Sequence, residues 1–575
     1  MKRLVFDIET DDLNATKVWC IVAIDEDDKV YSFHGDTIED GLKLLNETEM
    51  LIGHNILGFD IPVLTKLYDW TPKASIKIID TLVLSRLFNP TREGGHSLER
   101  WGIKLGLHKL ESPDFSEFSD EMLKYCIADT KLNKLLFENL RTQASGFSKE
   151  CIAIEHDTTK ILEEQKRNGF LFDVKKATLL TAKFQKLLKE VEEEVHVTFK
   201  PKWIDDKLVT PKWNKDGSLS RRGLTEEEYN SIIDGSRPKK PFMRKKLQEF
   251  NLGSRKQIGE YLQDFGWKPK KFTPTGQPIV DETTLKEIDH IYEAKLIADY
   301  LLYQKRIAQV QSWLDSVHDD DRVRGSVFCT GTITGRMAHR DPNMAQVPSV
   351  ANRFGDECRA CWIVPEGYKL VGVDASSLEL RMLAHYMNDE EYTNEILHGD
   401  IHTANQLAAG LQSRNQAKTF IYAFLYGAGD EKIGSIVGGT KADGRKLKAD
   451  FLANTPALKT LRARIEGAAR RGYIKAIDKR PIKVRSAHAA LNFLLQSAGA
   501  IIAKRAWIIF HQRCKLPFRQ LGVIHDEIQV ECRPEDAEEI GQCIVDSMRA
   551  TTNYYNLRCP IDGEYKIGRD WNETH

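Results

Sequence analysis

Three hydrophobic segments carry carboxylates where a buried β-strand should carry none, and this constrains the fold more than any other feature. Arg3-Leu-Val-Phe-Asp7-Ile-Glu9, Val371-Gly-Val-Asp374 and Val523-Ile-His525-Asp526-Glu527-Ile-Gln-Val each read as a short buried strand. Burying an acid without a partner is costly, so each segment needs something for its acids to hold. Residues i and i+2 share a strand face, and Asp7 and Glu9 can therefore reach one cation. A carboxylate where a strand runs out, as at Asp374, can hold Mg2+ against a triphosphate. In the third segment a regular strand would turn Asp526 away from His525 and Glu527. Asp526 is the favoured ligand there, and Glu527 stays an open alternative.

At 575 residues the chain is too long for one core, and two to four domains are expected. Hydrophobic residues at 41% and charged residues at 29% exclude wholesale disorder. No window supplies the roughly 18 apolar residues of a membrane helix; Lys504 and Arg505 interrupt the most apolar stretch, Ala498 to Phe510. The basic start turns acidic at Asp7, so no export signal is expected. The scattered cysteines suit free thiols in a reducing cytosol, and Cys358 and Cys361 form a lone pair with no second pair nearby. A net charge of −1 does not announce a nucleic-acid binder, yet the signs are segregated. Asp25 to Asp28 and Glu111 to Glu121 are acidic, whereas Arg237 to Lys246 is basic.

Along the chain an α/β pattern gives way to long helices from Lys149 to Val197 and again from Arg255 to Val317. Between them, residues 199–249 lack periodicity and read as an extended basic insertion, with Trp203 and Trp213 among its lysines and arginines. After about residue 320 strands alternate with long helices.

Further acids follow the first strand. Asp60 ends Asn55-Ile-Leu-Gly-Phe-Asp60, and Tyr125 and Asp129 lie one helical turn apart. Four carboxylates and a tyrosine suit hydrolysis by two metal ions, with the tyrosine orienting the water. Together these residues resemble the proofreading exonuclease superfamily. That resemblance implies Asp7, Glu9, Asp60 and Asp129 as metal ligands and Tyr125 as the water-positioning group.

Arg414, Lys418, Tyr422 and Tyr426, followed by Gly427, recur every four residues along one helix face. They span about 18 Å at 1.5 Å per residue. Arginine and lysine suit phosphates and tyrosine suits a base or sugar. With Asp374 and Asp526, this helix resembles motifs A, B and C of family A DNA polymerases, and within them the replicative enzymes of short-tailed bacteriophages.

The resemblance implies that Asp374 and Asp526 hold the metals, and that Arg414, Lys418 and His402 meet the triphosphate. It implies that Glu379 crowds the 2′ position, that Tyr422 lies on the sugar and Tyr426 beside the template. Arg336, Gln346, His488, Asn492 and Gln496, with His525, would contact primer and template. The implied fold is a ribonuclease H-like α/β exonuclease domain (1–146) followed by a right hand. Its parts would be a thumb (147–315), palm (316–387), fingers (388–490) and palm again (491–575). The implied cofactor is Mg2+, two ions per site, with Mn2+ able to substitute. Partners would be primer-template DNA, dNTPs, a phage helicase-primase and a single-stranded DNA-binding protein, in the cytoplasm of an infected bacterium. The short insertion argues against thioredoxin as a partner. A single-subunit RNA polymerase, or a nuclease whose polymerase half only grips DNA, are the alternatives.

Overall fold

The computed structural model describes residues 2–575. By internal contacts it divides into two units, residues 2–174 with 316–575 and, separately, Lys175–Asp315.

The first unit opens with β1 (Leu4–Thr10), β2 (Val18–Ile24), β3 (Val30–His34), β4 (Met50–Gly53) and β5 (Lys77–Asp80), in the sheet order β3-β2-β1-β4-β5. β1 pairs antiparallel with β2 and parallel with β4, and β5 continues the parallel half. Leu4, Phe6 and Ile8 enter one core while Val5 enters another. The period of two therefore sends Asp7 and Glu9 together to the Val5 side. Helix α1 (Asp60–Tyr68) follows β4, and α2 (Asp120–Gln143) packs on β1 and β2. Ser119 caps α2 by accepting from the Met122 amide. This is the α/β domain that the strand pattern predicts, and a mixed sheet flanked by helices suits the ribonuclease H-like fold that the resemblance implies.

Helix α3 (Lys149–Asn168) then turns two faces to two neighbours. Ile154, Ile161 and Leu162 enter the largest core, while His156 Nε2 accepts from the Asp80 amide at 2.9 Å.

The second unit contains α4 (Val174–Thr198), and then the segment expected to be irregular. Instead, β6 (Lys202–Val209) and β7 (Phe242–Gln248) pair as an antiparallel ribbon, with α5 (Glu226–Ile233) in the connection. Alternation is invisible in the sequence because both faces meet water: Trp203, Leu208, Met243 and Leu247 are exposed beside the lysines. Helices α6 (Arg255–Asp264), α7 (Glu282–Glu287) and α8 (Tyr292–Leu314) close a separate core of Phe199, Phe250, Tyr261, Trp267 and Ile297.

Back in the first unit, β8 (Lys369–Ala375) leads to α9 (Leu378–Met387), α10 (Ile401–Ala409), α11 (Arg414–Leu425) and α12 (Ala490–Arg513). Then come β9 (Phe518–Ile524), β10 (Glu527–Cys532), α13 (Ala537–Tyr554) and β11 (Gly563–Gly568). The four strands form an antiparallel sheet in the order β9-β10-β8-β11.

Two expectations are corrected here. The third acidic segment is not one strand: β9 ends at Ile524, His525 takes φ 61°, and β10 starts at Glu527. A two-residue hairpin turn, not strand alternation, sets Asp526 apart. And α12 is long and apolar enough, by composition, to cross a membrane, although 83% of that stretch is buried inside the fold. Lys504 does not break it, because the side chain is fully buried against Glu155.

Candidate active sites

β8 and the β9–β10 turn bring two acids to one cavity. Asp374 lies in register with Glu527, and the next residue of the turn, Asp526, faces the same space. The cavity, about 380 Å³, is lined by Asp374, Asp526, His525, Glu379, Arg336 and Tyr422 among others. Burial, then the charge of Asp374, pushes the Asp526 carboxyl up to about 7. Burial and Glu527 raise Asp374 in turn. Carboxylates held against one another in a part-dry site are relieved by a cation, and all-oxygen donors suit Mg2+. The residues present therefore fit the metal.

Glu527 is engaged elsewhere. It accepts from Trp571 Nε1 at 2.5 Å and Gln529 Nε2 at 2.6 Å, while His575 Nδ1 lies 3.0 Å from its other oxygen. Burial would raise its carboxyl, but His575 and Arg359 hold it below the ordinary value. Arg359, Trp571 and His575 were missed in the sequence, where no spacing ties them to this strand. Glu379 accepts from Arg336 Nη2 and from the Tyr426 hydroxyl, each at 2.6 Å, so three expected residues meet across the cavity. Burial, followed by Glu379, raises the Tyr426 hydroxyl.

On α11 the step of four holds. Tyr422 and Tyr426 stack with ring centres 6.4 Å apart, and His402 lies 6.2 Å from Tyr422. His402 is buried with Nδ1 unpartnered. Burial, then the charges of Arg414 and Lys418, lowers its pKa. Arg414 forks onto Asp400, with Nε 2.6 Å from Oδ2 and Nη2 3.1 Å from Oδ1. Asp400 also caps α10 by accepting from the His402 amide at 3.1 Å. The sequence reading passed over this aspartate, although its place before a helical run is an N-cap signal. Lys418 is exposed and joins no ion pair among the described residues. Of the expected primer–template residues, Gln346 and His488 are exposed. Asn492 and Gln496 sit one turn apart on α12: Asn492 Oδ1 is buried without a partner, and Gln496 Oε1 accepts from Thr334 at 3.4 Å.

The second site lies where β1 meets α1 and α2. Asp60, Asp129 and Tyr125 are buried there and Asp7 and Glu9 half-buried. All four carboxyls are raised. Burial is the largest cause for each, joined by mutual repulsion for Asp7 and for Glu9, which reaches about 8. Asp60 reaches about 7. Oδ1 of Asp60 and of Asp129 is buried without a hydrogen-bond partner. Ligand atoms of Asp7, Glu9 and Cys126 lie within 4.8 Å of one another, though burial keeps the Cys126 thiol protonated. Orphaned carboxylate oxygens in a site short of positive charge fit divalent cations. The basic group present is Lys109, absent from the sequence reading: its Nζ lies 2.5 Å from Asp129 Oδ2.

A sequence profile of DNA polymerase family A matches residues 235–573. The chain belongs to DNA polymerase family A. Along its length the polymerase is 35% identical to the DNA-directed DNA polymerase of Enterobacteria phage T3, with all of both chains covered. It is also 35% identical to that of Escherichia phage T7, over 92% of each chain. The POL domain of Pol1 from M. smegmatis, solved with DNA primer-template and dNTP, shares the polymerase's fold. The TM-score is 0.79 at 19% identity, covering 99% of this chain and 96% of that one. Family membership sets aside the RNA polymerase alternative. The profile begins after the β1–α2 site, whereas the phage T3 relative spans it.

Proposed function

We propose that this polymerase extends primers on a DNA template from dNTPs, and removes 3′-terminal nucleotides at the β1–α2 site, as a phage replicative enzyme. The observation that carries the first activity is Asp374 and Asp526 facing one cavity across from α11. Asp7, Glu9, Asp60 and Asp129 gathered beside Tyr125, with an oxygen of Asp60 and of Asp129 buried without a partner, carry the second. Primer extension with Mg2+, offering deoxy- or ribonucleotides beside a lane without nucleotides, tests both. Extension with deoxynucleotides and shortening in the bare lane are expected, whereas a nuclease whose polymerase half only grips DNA would shorten the primer without extending it.

Asp374 and Asp526 would hold Mg2+, or Mn2+, at one site, and Asp7, Glu9, Asp60 and Asp129 at the other, two ions each. Bound there, the metal polarises a phosphoryl oxygen and lowers the pKa of the attacking oxygen. Arg414, pre-aligned by Asp400, and Lys418 neutralise the triphosphate. Glu379 walls the ribose 2′ position. Tyr125 orients the attacking water of the second site. Asn492 and Gln496 offer polar groups along one face of α12 to the minor groove, where all base pairs present acceptors. As a phage replicative enzyme it would work in the cytoplasm of an infected bacterium, beside a helicase-primase and a single-stranded DNA-binding protein.

Tyr422 supplies a hydroxyl to the cavity wall from a half-buried ring. In this reading that hydroxyl stands in for a missing sugar 3′-OH, so dideoxynucleotides should be accepted readily. Tyr422→Phe should select against them by about 10- to 100-fold, the worth of one polar partner lost in a part-dry site. Single-nucleotide incorporation with ddNTP and dNTP measures the ratio; equal ratios in both proteins overturn the role.

The β6–β7 ribbon is read as a DNA clamp. Lys207, Lys212, Lys215, Arg222, Lys240 and Lys245 enter no ion pair among the described residues, and Lys239 lies over Trp213 at 5.2 Å. Unpaired bases with aromatic neighbours suit sequence-independent phosphate contact. Removing residues 211–240, which spares both strands, should shorten products of a single binding encounter. Each lost contact should flatten the slope of log K against log salt by about 0.9. An unchanged slope excludes the clamp, and a many-fold gain in product length on adding thioredoxin excludes a partner-free one.

A further inference from the structure

Lys109 lies in the loop of residues 106–119 that leads into α2. Its neighbours His108 and Leu110 are exposed, but its own side chain turns inward and keeps 24% of its surface. The ammonium group meets Asp129 Oδ2 at 2.5 Å and lies 4.9 Å from the Tyr125 ring centre. The far end of the loop is anchored. Phe115 O accepts from Trp19 Nε1 at 2.9 Å, the Phe115 ring meets Tyr125 edge-on at 6.2 Å, and Phe118 stacks on His34 at 4.6 Å. The loop thus runs along the site from Lys109 to Phe118, and the Lys109 side chain turns into it.

We propose that Lys109 is a further catalytic residue of the exonuclease site, a built-in cation that bears on the scissile phosphate. The proposal rests on the proofreading reading above. A phosphodiester is itself an anion and has to enter among four carboxylates. Lys109 is near enough to act on Asp7, Glu9 and Asp129 alike, and a long flexible stem lets its head move from Asp129 to a neighbouring oxygen. In hydrolysis the water oxygen forms a bond to phosphorus and the bond from phosphorus to the 3′ oxygen breaks. The water gives up a proton to solvent, and the leaving 3′ oxygen takes one from solvent. Charge on the non-bridging oxygens grows on the way, and an ammonium group beside them stabilises that state more than the resting diester. The pair with Asp129 is then the resting position of a mobile cation.

The test compares Lys109→Met and Lys109→Arg with wild type, all as full chains, on a single-stranded oligonucleotide. The exonuclease kcat of Lys109→Met should fall by about 10²-fold, as for other single charge-stabilising groups, with KM little changed. Lys109→Arg should recover much of it, and primer extension should be normal in both. Mn2+ binding, measured by titration calorimetry in an Asp374→Ala, Asp526→Ala background, should not weaken. A Lys109→Met protein degrading DNA at the wild-type rate overturns the proposal. So does weakened Mn2+ binding with activity restored by excess Mn2+, since Lys109 would then merely prop Asp129. Tighter Mn2+ binding with a faster rate would make it a placeholder for metal, which also overturns it. Wild-type protein without exonuclease activity removes the proofreading reading itself, and this proposal with it.

Discussion

Asp374→Ala or Asp526→Ala is expected to stop primer extension while degradation of single-stranded DNA continues at the wild-type rate. The loss should be about a thousandfold or more, because a Lewis-acid metal contributes several kcal/mol and each 1.4 kcal/mol is tenfold in rate. Asp7→Ala with Glu9→Ala should do the reverse. The reason is construction. Asp374 and Asp526 are presented by β8 and the β9–β10 turn, whereas Asp7, Glu9, Asp60 and Asp129 come from β1, α1 and α2. No side chain is common to both sets. The loss does not come from unfolding, since burial and Asp374 push the Asp526 carboxyl up to about 7. Removing an acid held in an unfavourable charge state relieves repulsion, so thermal unfolding of Asp526→Ala should come no lower than that of wild type. Loss of both activities from either set, at an unchanged Tm, would overturn two independent sites. Extension surviving in Asp526→Ala would move the ligand to Glu527, despite its bonds to Trp571, Gln529 and His575.

What was legible in the sequence was whatever periodicity and local spacing encode. Asp7 and Glu9 fall together because a strand alternates, and Tyr125 with Asp129 because a helix turns; both pairs sit as their spacing predicts. The Arg414 to Tyr426 face is likewise local. The β9–β10 turn was hidden because hydrophobic residues run on both sides of it, and His525-Asp526 lacks the Gly or Asn that usually marks positive φ. The β6–β7 ribbon was hidden by its lysines, which leave no buried face to alternate. Residues joined only in space left no trace at all: Lys109 on Asp129, and Trp571 with His575 on Glu527; Asp400 showed its capping place but not its pairing with Arg414. Their partners lie at separations no pattern fixes. Lys504 was misread for the opposite reason, as an interruption of an apolar helix whose charge is in fact fully answered.

Lys504→Met should cost about 3–5 kcal/mol of stability, the price of leaving a buried charge without its partner. Glu155 sits on α3 with no exposed surface. Its two oxygens accept from Lys504 Nζ, each at 2.8 Å, from Arg480 Nη1 at 2.5 Å and from Thr330 at 2.6 Å. Arg480 is balanced by Asp478 through Nε at 2.7 Å, so two acids and two bases form a neutral buried set. Burial would raise the Glu155 carboxyl, but Lys504 and Arg480 hold it down to about 2. A depressed carboxyl adds stability above its unfolded value of 4.5, and that contribution disappears as pH falls towards 2. Lys504 also donates to Gly335 O at 2.9 Å, in the loop that presents Arg336 to Glu379. The methionine should therefore weaken hydrogen-exchange protection along α12 and slow nucleotide addition together. Glu155→Gln alone should cost a similar amount, by stranding Lys504. The double variant should cost far less than the sum, because neither charge is then left alone. Costs below 1 kcal/mol for each single change, or simple additivity in the double, would show that the set is not the clasp between α3, α12 and the Arg336 loop that its geometry describes.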